Sequence, residues 1–89
     1  MKGKVALVMG GGAGTGRATV DAFVAEGASV VIADINSDAA RQTLLRVEAA
    51  GGEGLAVQAD MSQADDVQRV IETIRRDLGA LHMVSNNAS

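Results

Sequence analysis

The feature that most constrains this chain is a run of glycines set between two segments with opposite demands. Met9-Gly10-Gly11-Gly12-Ala13-Gly14-Thr15-Gly16-Arg17 follows a strand-like stretch at residues 4–9 and opens a segment of helical periodicity. Glycine tolerates positive φ and carries no Cβ, so a backbone built from it can approach a ligand closely. With a strand before it and a helix after it, such a turn presents free N–H groups and the positive end of a helix dipole. That combination favours a phosphate.

The rest of the chain repeats the same alternation. After the turn, Val20, Phe23 and Val24 fall on one helical face over residues 15–26, and Gly27 supplies a stop. Ser-Val-Val-Ile-Ala at 29–33 is a second strand, closed by Asp34. Its unbroken Val/Ile run is expected of a strand buried on both faces of a parallel sheet. A second helix, capped by Asn36 or Ser37, carries Ala40, Leu44 and Val47 on one side and ends at Gly51-Gly52. Residues 55–59 form a third strand. Ser62 is expected to cap a third helix whose apolar set is Val67, Val70, Ile71, Ile74 and Leu78, ended by Gly79. Residues 81–85 form a fourth strand. The sum is β-α-β-α-β-α-β in one domain spanning residues 1–89, without an internal boundary.

Three phosphate-binding patterns compete for the glycines. The P-loop pattern fails because Arg17 and Ala18 stand where a lysine and a hydroxyl are required, so no oxygen is placed to ligate Mg²⁺. The spacing G-x-G-x-x-G also fails from Gly10, Gly12 or Gly14, since its third glycine falls on Thr15, Arg17 or Thr19. The spacing that fits is G-x-x-x-G-x-G at Gly10, Gly14 and Gly16. Asp34 then lies about 20 residues further on, at a strand end, where a dinucleotide site needs a carboxylate for the ribose hydroxyls. Such a group accepts from two hydroxyls and repels a 2′-phosphate, which favours NAD(H) over NADP(H). The alternative is a solvated aspartate that caps the next helix.

Taken together, Gly10/Gly14/Gly16, Ala33-Asp34-Ile35, Asp60-Met61 and Asn86-Asn87-Ala88 resemble, in order and spacing, the first half of a short-chain dehydrogenase/reductase. The resemblance covers the whole chain. It implies an α/β, Rossmann-type three-layer unit with a parallel four-stranded sheet in the order 3-2-1-4. It also implies that Thr15 lies against the pyrophosphate and that Asp34 binds the adenosine ribose with Ile35 flanking it. Asp60 would bind the adenine amino group beside Met61, and Asn87 and Ala88 would border the cofactor. Met9 stands where the family usually has threonine, Ser89 replaces a glycine, and Ala13 sits where NADP-preferring members often carry a basic residue. Arg17 is expected to face solvent. His82, in place of the family's usual aspartate, is expected to be an exposed strand-edge side chain.

The family's chemistry uses a serine, a tyrosine and a lysine in Y-x-x-x-K. This sequence has no tyrosine, and its lysines are Lys2 and Lys4, so the triad cannot be assembled from it. The expectation is therefore a truncated, cofactor-binding part of an NAD(H)-dependent oxidoreductase acting on alcohols or ketones, inactive by itself. A non-catalytic nucleotide-binding or interaction module and a ligand-free remnant are the alternatives. The net charge of −3 and scattered basic residues argue against nucleic acid, which needs clustered cations. The absence of cysteine removes disulfides and thiolate metal sites and agrees with a cytoplasmic setting. No apolar run reaches membrane-spanning length. Complete relatives are expected to be homo-oligomers.

Overall fold

The computed structural model describes residues 2–12 and 14–87. Along the chain come β1 (Val5–Met9), α1 (Gly14–Ala25), β2 (Ser29–Asp34), α2 (Ser37–Ala49), β3 (Gly54–Gln58), α3 (Ala64–Leu78) and β4 (Met83–Asn86). The four strands form one parallel sheet in the order β3-β2-β1-β4, as expected. Val5 lies opposite Ser29, Val30 opposite Gly54, and Ala6 opposite Met83.

The apolar runs explain why β1 and β2 occupy the centre. Side chains alternate between the faces of a strand, so a strand covered on both sides must be apolar at every position. Leu7, Val31 and Ala33 pack with Val70 and Ile74 of α3 on one face. Val8, Val30 and Ile32 pack with Val20 of α1 and with Ala40 and Val47 of α2 on the other. The result is three layers, with α1 and α2 on one side of the sheet and α3 opposite. Each fully buried Val, Leu or Ile contributes about 1.5–3 kcal/mol. Among the described residues, Leu7, Val8, Val30, Val31 and Ile32 of β1 and β2 are completely enclosed, and Val20, Thr43, Val47, Val70 and Ile74 of the helices close over them.

Helix boundaries follow local chemistry, with one correction. Asn36 caps α2, its side chain accepting the Ala39 N–H at 3.0 Å. Gly79 ends α3 at φ 83°, its N–H donating to the Ile74 and Arg75 carbonyls. Ser62, however, does not cap α3. α3 starts at Ala64, so the cap position is Gln63, which makes no side-chain cap bond; Ser62 lies one residue before it, and its hydroxyl donates to Asp60 Oδ1 at 2.6 Å. Among the described residues no helix is long and apolar enough to cross a membrane.

The fourth strand starts later than its apolar run suggests. Leu81 turns into the α3-side core, and the β1–β4 ladder begins at Met83. His82 prepares that ladder. Its N–H donates to the Val5 carbonyl at 2.9 Å, and its Nδ1 accepts the Val5 N–H at 3.0 Å. The ring is exposed, as expected, but it completes the hydrogen bonding of the central strand rather than hanging free. Replacing His82 with Phe removes that acceptor from a part-buried amide. The expected cost is about 1 kcal/mol, or a fall in Tm of about 4–8 °C for a domain of this size, measured by circular dichroism.

Candidate functional site

The chain order places the site. From β1 it moves outward through β2 to β3, then α3 carries it back across the sheet to β4 on the other side of β1. The strand order therefore reverses at β1. In open α/β sheets ligands bind outside the carboxyl ends of the strands at such a point. A cleft of about 390 Å³ lies there, lined by Gly10, Ala33, Asp34, Ile35, Ala59, Asp60, Met61, Ser62 and Asn86. These residues end or directly follow all four strands.

The turn from β1 to α1 forms one wall, and it closes by contact too tight for side chains. A Cβ on Gly16 would collide with the carbonyl oxygen of Gly10, and would also lie 2.8 Å from the Gly11 Cα. Gly10 itself has φ 76°, and its N–H donates to the Ala33 carbonyl, tying the turn to β2. A Cβ on Gly12 would lie 2.6 Å from Asp34 Oδ2 and 2.8 Å from the Ala39 Cβ. That approach lets the Gly12 N–H donate to Asp34 Oδ2 at 3.0 Å. The other carboxylate oxygen accepts the Asn36 N–H at 2.9 Å. Helix capping thus falls to Asn36, while Asp34 bridges the glycine turn and the start of α2 at the lip of the cleft.

The opposite wall is made after β3. Asp60 Oδ1 accepts both the Ser62 hydroxyl and the Ser62 N–H, at 2.6 and 3.0 Å. The Ser62 hydroxyl, and then its amide, hold the Asp60 carboxyl below its ordinary value. The Asp60 N–H donates to Asp66 Oδ2 at 2.8 Å, fixing the loop to the first turn of α3. Two carboxylates therefore border the cleft, with the exposed Ile35 side chain between the strand ends.

Of the residues expected from sequence to bind the cofactor, Gly10, Asp34, Ile35, Asp60 and Met61 line this one cleft. Gly14, Thr15 and Gly16 form the first turn of α1. Gly14 is at φ 59°, and the Thr15 carbonyl accepts the Thr19 hydroxyl. Asn87 continues the β4 ladder, its N–H donating to the Met9 carbonyl and its side chain to Ser85 Oγ, while its neighbour Asn86 faces the cleft. Ala88 lies outside the described residues, as do Ala13 and Ser89.

Arg17 corrects the sequence reading. It is half-buried, not solvent-facing: its guanidinium donates to the Gly12 carbonyl at 3.0 Å and, at 3.4 Å, to the Thr43 hydroxyl. The reason is the Gly12 carbonyl itself, which the tight turn takes out of water and which needs donors. Thr43, fully buried on α2, donates to the same oxygen at 3.1 Å. Thr43 carries no motif that marks it in the sequence. The available signal was its place between Ala40 and Val47 on the apolar stripe of α2, where a hydroxyl must find a buried partner.

Fold and cleft define a parallel, doubly wound α/β unit with a cleft at the switch point. The chain belongs to the short-chain dehydrogenase family, whose sequence model matches residues 4–89. It is 38% identical over 85 residues to cyclohexanol dehydrogenase of Acinetobacter sp. (strain SE19), covering 96% of this chain and 34% of that protein. A crystal structure of hydroxysteroid dehydrogenase from Escherichia coli superposes with a TM-score of 0.95 at 33% identity, covering 99% of this chain and 37% of that one. A 7α-hydroxysteroid dehydrogenase complexed with NADH and 7-oxo glycochenodeoxycholic acid superposes with a TM-score of 0.90 at 31% identity, covering 93% and 32%. The chain spans about a third of the length of the curated relatives it matches.

Two outcomes test this geometry. Gly16→Ala forces the turn to open against the Gly10 carbonyl and is expected to cost about 3 kcal/mol, read from urea unfolding. Ser62→Ala removes the hydroxyl that lowers the Asp60 pKa, so that value should rise toward the ordinary aspartate range in a carboxyl-detected NMR titration. A depressed carboxyl contributes stability above its unfolded pKa and loses it as the pH falls through the folded value. The variant should therefore lose part of the parent's acid-side pH dependence.

Proposed function

We propose that this chain is the NAD(H)-binding portion of a short-chain dehydrogenase/reductase-type oxidoreductase that interconverts alcohols and ketones. The observation that carries the reading is the bonding of Asp34. A carboxylate offers about four acceptor positions. Two are taken by the Gly12 and Asn36 amides, which leaves two for a vicinal diol at the edge of the cleft. The glycine turn supports the diphosphate end of the same ligand, because its tightly closed backbone leads straight into the N-terminus of α1, where free amides and the helix dipole favour a phosphate. In this reading Gly10, Gly14, Thr15 and Gly16 cradle the diphosphate. Asp34 and Ile35 hold the adenosine sugar, Asp60 and Met61 border the adenine, and Asn87 and Ala88 border the cofactor. Asp34 and Asp60 together disfavour the additional charge of a 2′-phosphate, so NAD(H) is preferred over NADP(H).

When bound, the nicotinamide would supply the hydride acceptor or donor. This chain's residues bind and orient the adenosine half. With no tyrosine in its sequence, the 89-residue polypeptide is expected to bind the cofactor without turning over an alcohol. The relative seen with NADH shares 31% of its residues with this chain over the matched region, and that supports a nicotinamide dinucleotide as the ligand.

Saturation-transfer NMR with NAD⁺ and NADP⁺ tests the reading. NAD⁺ is expected to bind about tenfold more tightly, and Asp34→Ala should lower NAD⁺ affinity by about tenfold and erase the preference, as loss of charged hydrogen bonds requires. Equal affinity of the parent and Asp34→Ala for NAD⁺ would remove the ribose assignment.

A further inference from the structure

We propose that Arg17 and Thr43 are positioning residues for the sugar-binding carboxylate, acting through the Gly12 backbone. The inference rests on the cofactor reading above and adds to it a source of sugar selectivity outside the cleft, since neither residue lines the cleft.

The geometry forms a chain of contacts. Gly12 is held from two sides. Its carbonyl accepts the Arg17 Nη2 donor at 3.0 Å and the Thr43 hydroxyl at 3.1 Å, and Arg17 Nε donates to the Thr43 hydroxyl oxygen. Its amide donates to Asp34 Oδ2 at 3.0 Å. Glycine loses more conformational freedom on ordering than any other residue, so an unclamped Gly12 would not hold its amide in one direction. No side chain can take over the task, because a Cβ at residue 12 would displace the Asp34 carboxylate and strike Ala39. The two donors on the carbonyl therefore fix the backbone of residue 12, the amide follows, and together with the Asn36 amide on Oδ1 it sets the rotation of the carboxylate. That rotation decides where the two remaining acceptor positions point.

Burial separates this role from general packing. Thr43 is completely enclosed and its hydroxyl hydrogen bonds are part of the clamp, so removing the hydroxyl alone leaves its volume in place. Valine is close to threonine in shape and lacks the donor. Serine keeps the donor and loses a methyl group. If Thr43 acted only as filler, affinity would track stability across these two variants. A positioning role predicts the opposite order.

The probes are adenosine 5′-monophosphate and its 2′,3′-dideoxy analogue, which keeps base and phosphate but lacks the diol, titrated by NMR into the full 89-residue chain. The quantity read is the preference for the diol-bearing nucleotide. In the parent it is expected to be about tenfold, and Asp34→Ala should abolish it. Thr43→Val and Arg17→Met should each reduce it about fivefold, the worth of one net hydrogen bond, while affinity for the dideoxy analogue stays within twofold. Thr43→Ser should retain the parent preference although its Tm falls below that of the parent. Without ligand, the Gly12 amide should exchange with solvent at least about fivefold faster in Thr43→Val than in Thr43→Ser.

The proposal alone is overturned if Asp34→Ala abolishes the preference while Thr43→Val and Arg17→Met keep it. It is equally overturned if the loss in Thr43→Val and Thr43→Ser follows their stability. If the parent shows no preference, or Asp34→Ala keeps it, the ribose reading fails and takes this proposal with it.

Discussion

The turn out of β1 can close only because nothing projects from the Cα of residue 16. The carbonyl of Gly10 occupies the space a side chain would need, and that contact sets how sharply the backbone can enter α1. A wider turn would lift α1 off the sheet and withdraw Val20 from its place over Val8 and Ile32. Gly11 sits beneath, within 3.1–3.3 Å of the side chains of Ile32, Val8 and Val20 for an added Cβ, so the core itself presses on the turn. The hydrophobic packing of one sheet face and the shape of the cleft wall are thus a single constraint.

A second consequence is a division of polar labour at the carboxyl ends of the strands. Several backbone groups there are held by partners drawn from different elements. Gly10 reaches Ala33 on β2, Gly12 reaches Asp34 and is gripped from α1 and α2, and Asp60 is tied to Ser62 and Asp66. Because unpaired buried polar groups are costly, these bonds hold the loops in one arrangement. The cleft borders are preorganised by the same bonds that complete the fold, which lowers the ordering cost of binding a ligand.

Much of this was legible in the residues. Strand and helix types follow from runs such as Ser29 to Ala33 and from the three-and-four spacing of Val67, Val70, Ile74 and Leu78, because burial imposes those periods directly. The grouping of Gly10, Asp34 and Asp60 at one end of the sheet follows from their places at successive strand ends in a parallel sheet. What misled was competition. Ser62 has the chemistry of a helix cap, yet α3 begins one residue too late for it, and its hydroxyl donates to a carboxylate two residues away. Arg17 has the composition of a surface residue, yet a carbonyl buried by the turn draws its guanidinium inward. His82 reads as an edge side chain and is one, but only the paired strands show its ring nitrogen completing the bonding of Val5.

By itself the sequence determined the alternation of elements, the sheet's buried strands, the glycine turn and the family resemblance. These depend on periodicity and on residues near one another along the chain. Tertiary structure alone decided which partner each polar group would take: Thr43 with Gly12 across 31 residues, Gly12 with Asp34 across 22, Val5 with His82 across 77. Hydrogen bonds are short and directional, so a partner is selected by distances of a few tenths of an ångström that only the packed sheet and helices establish.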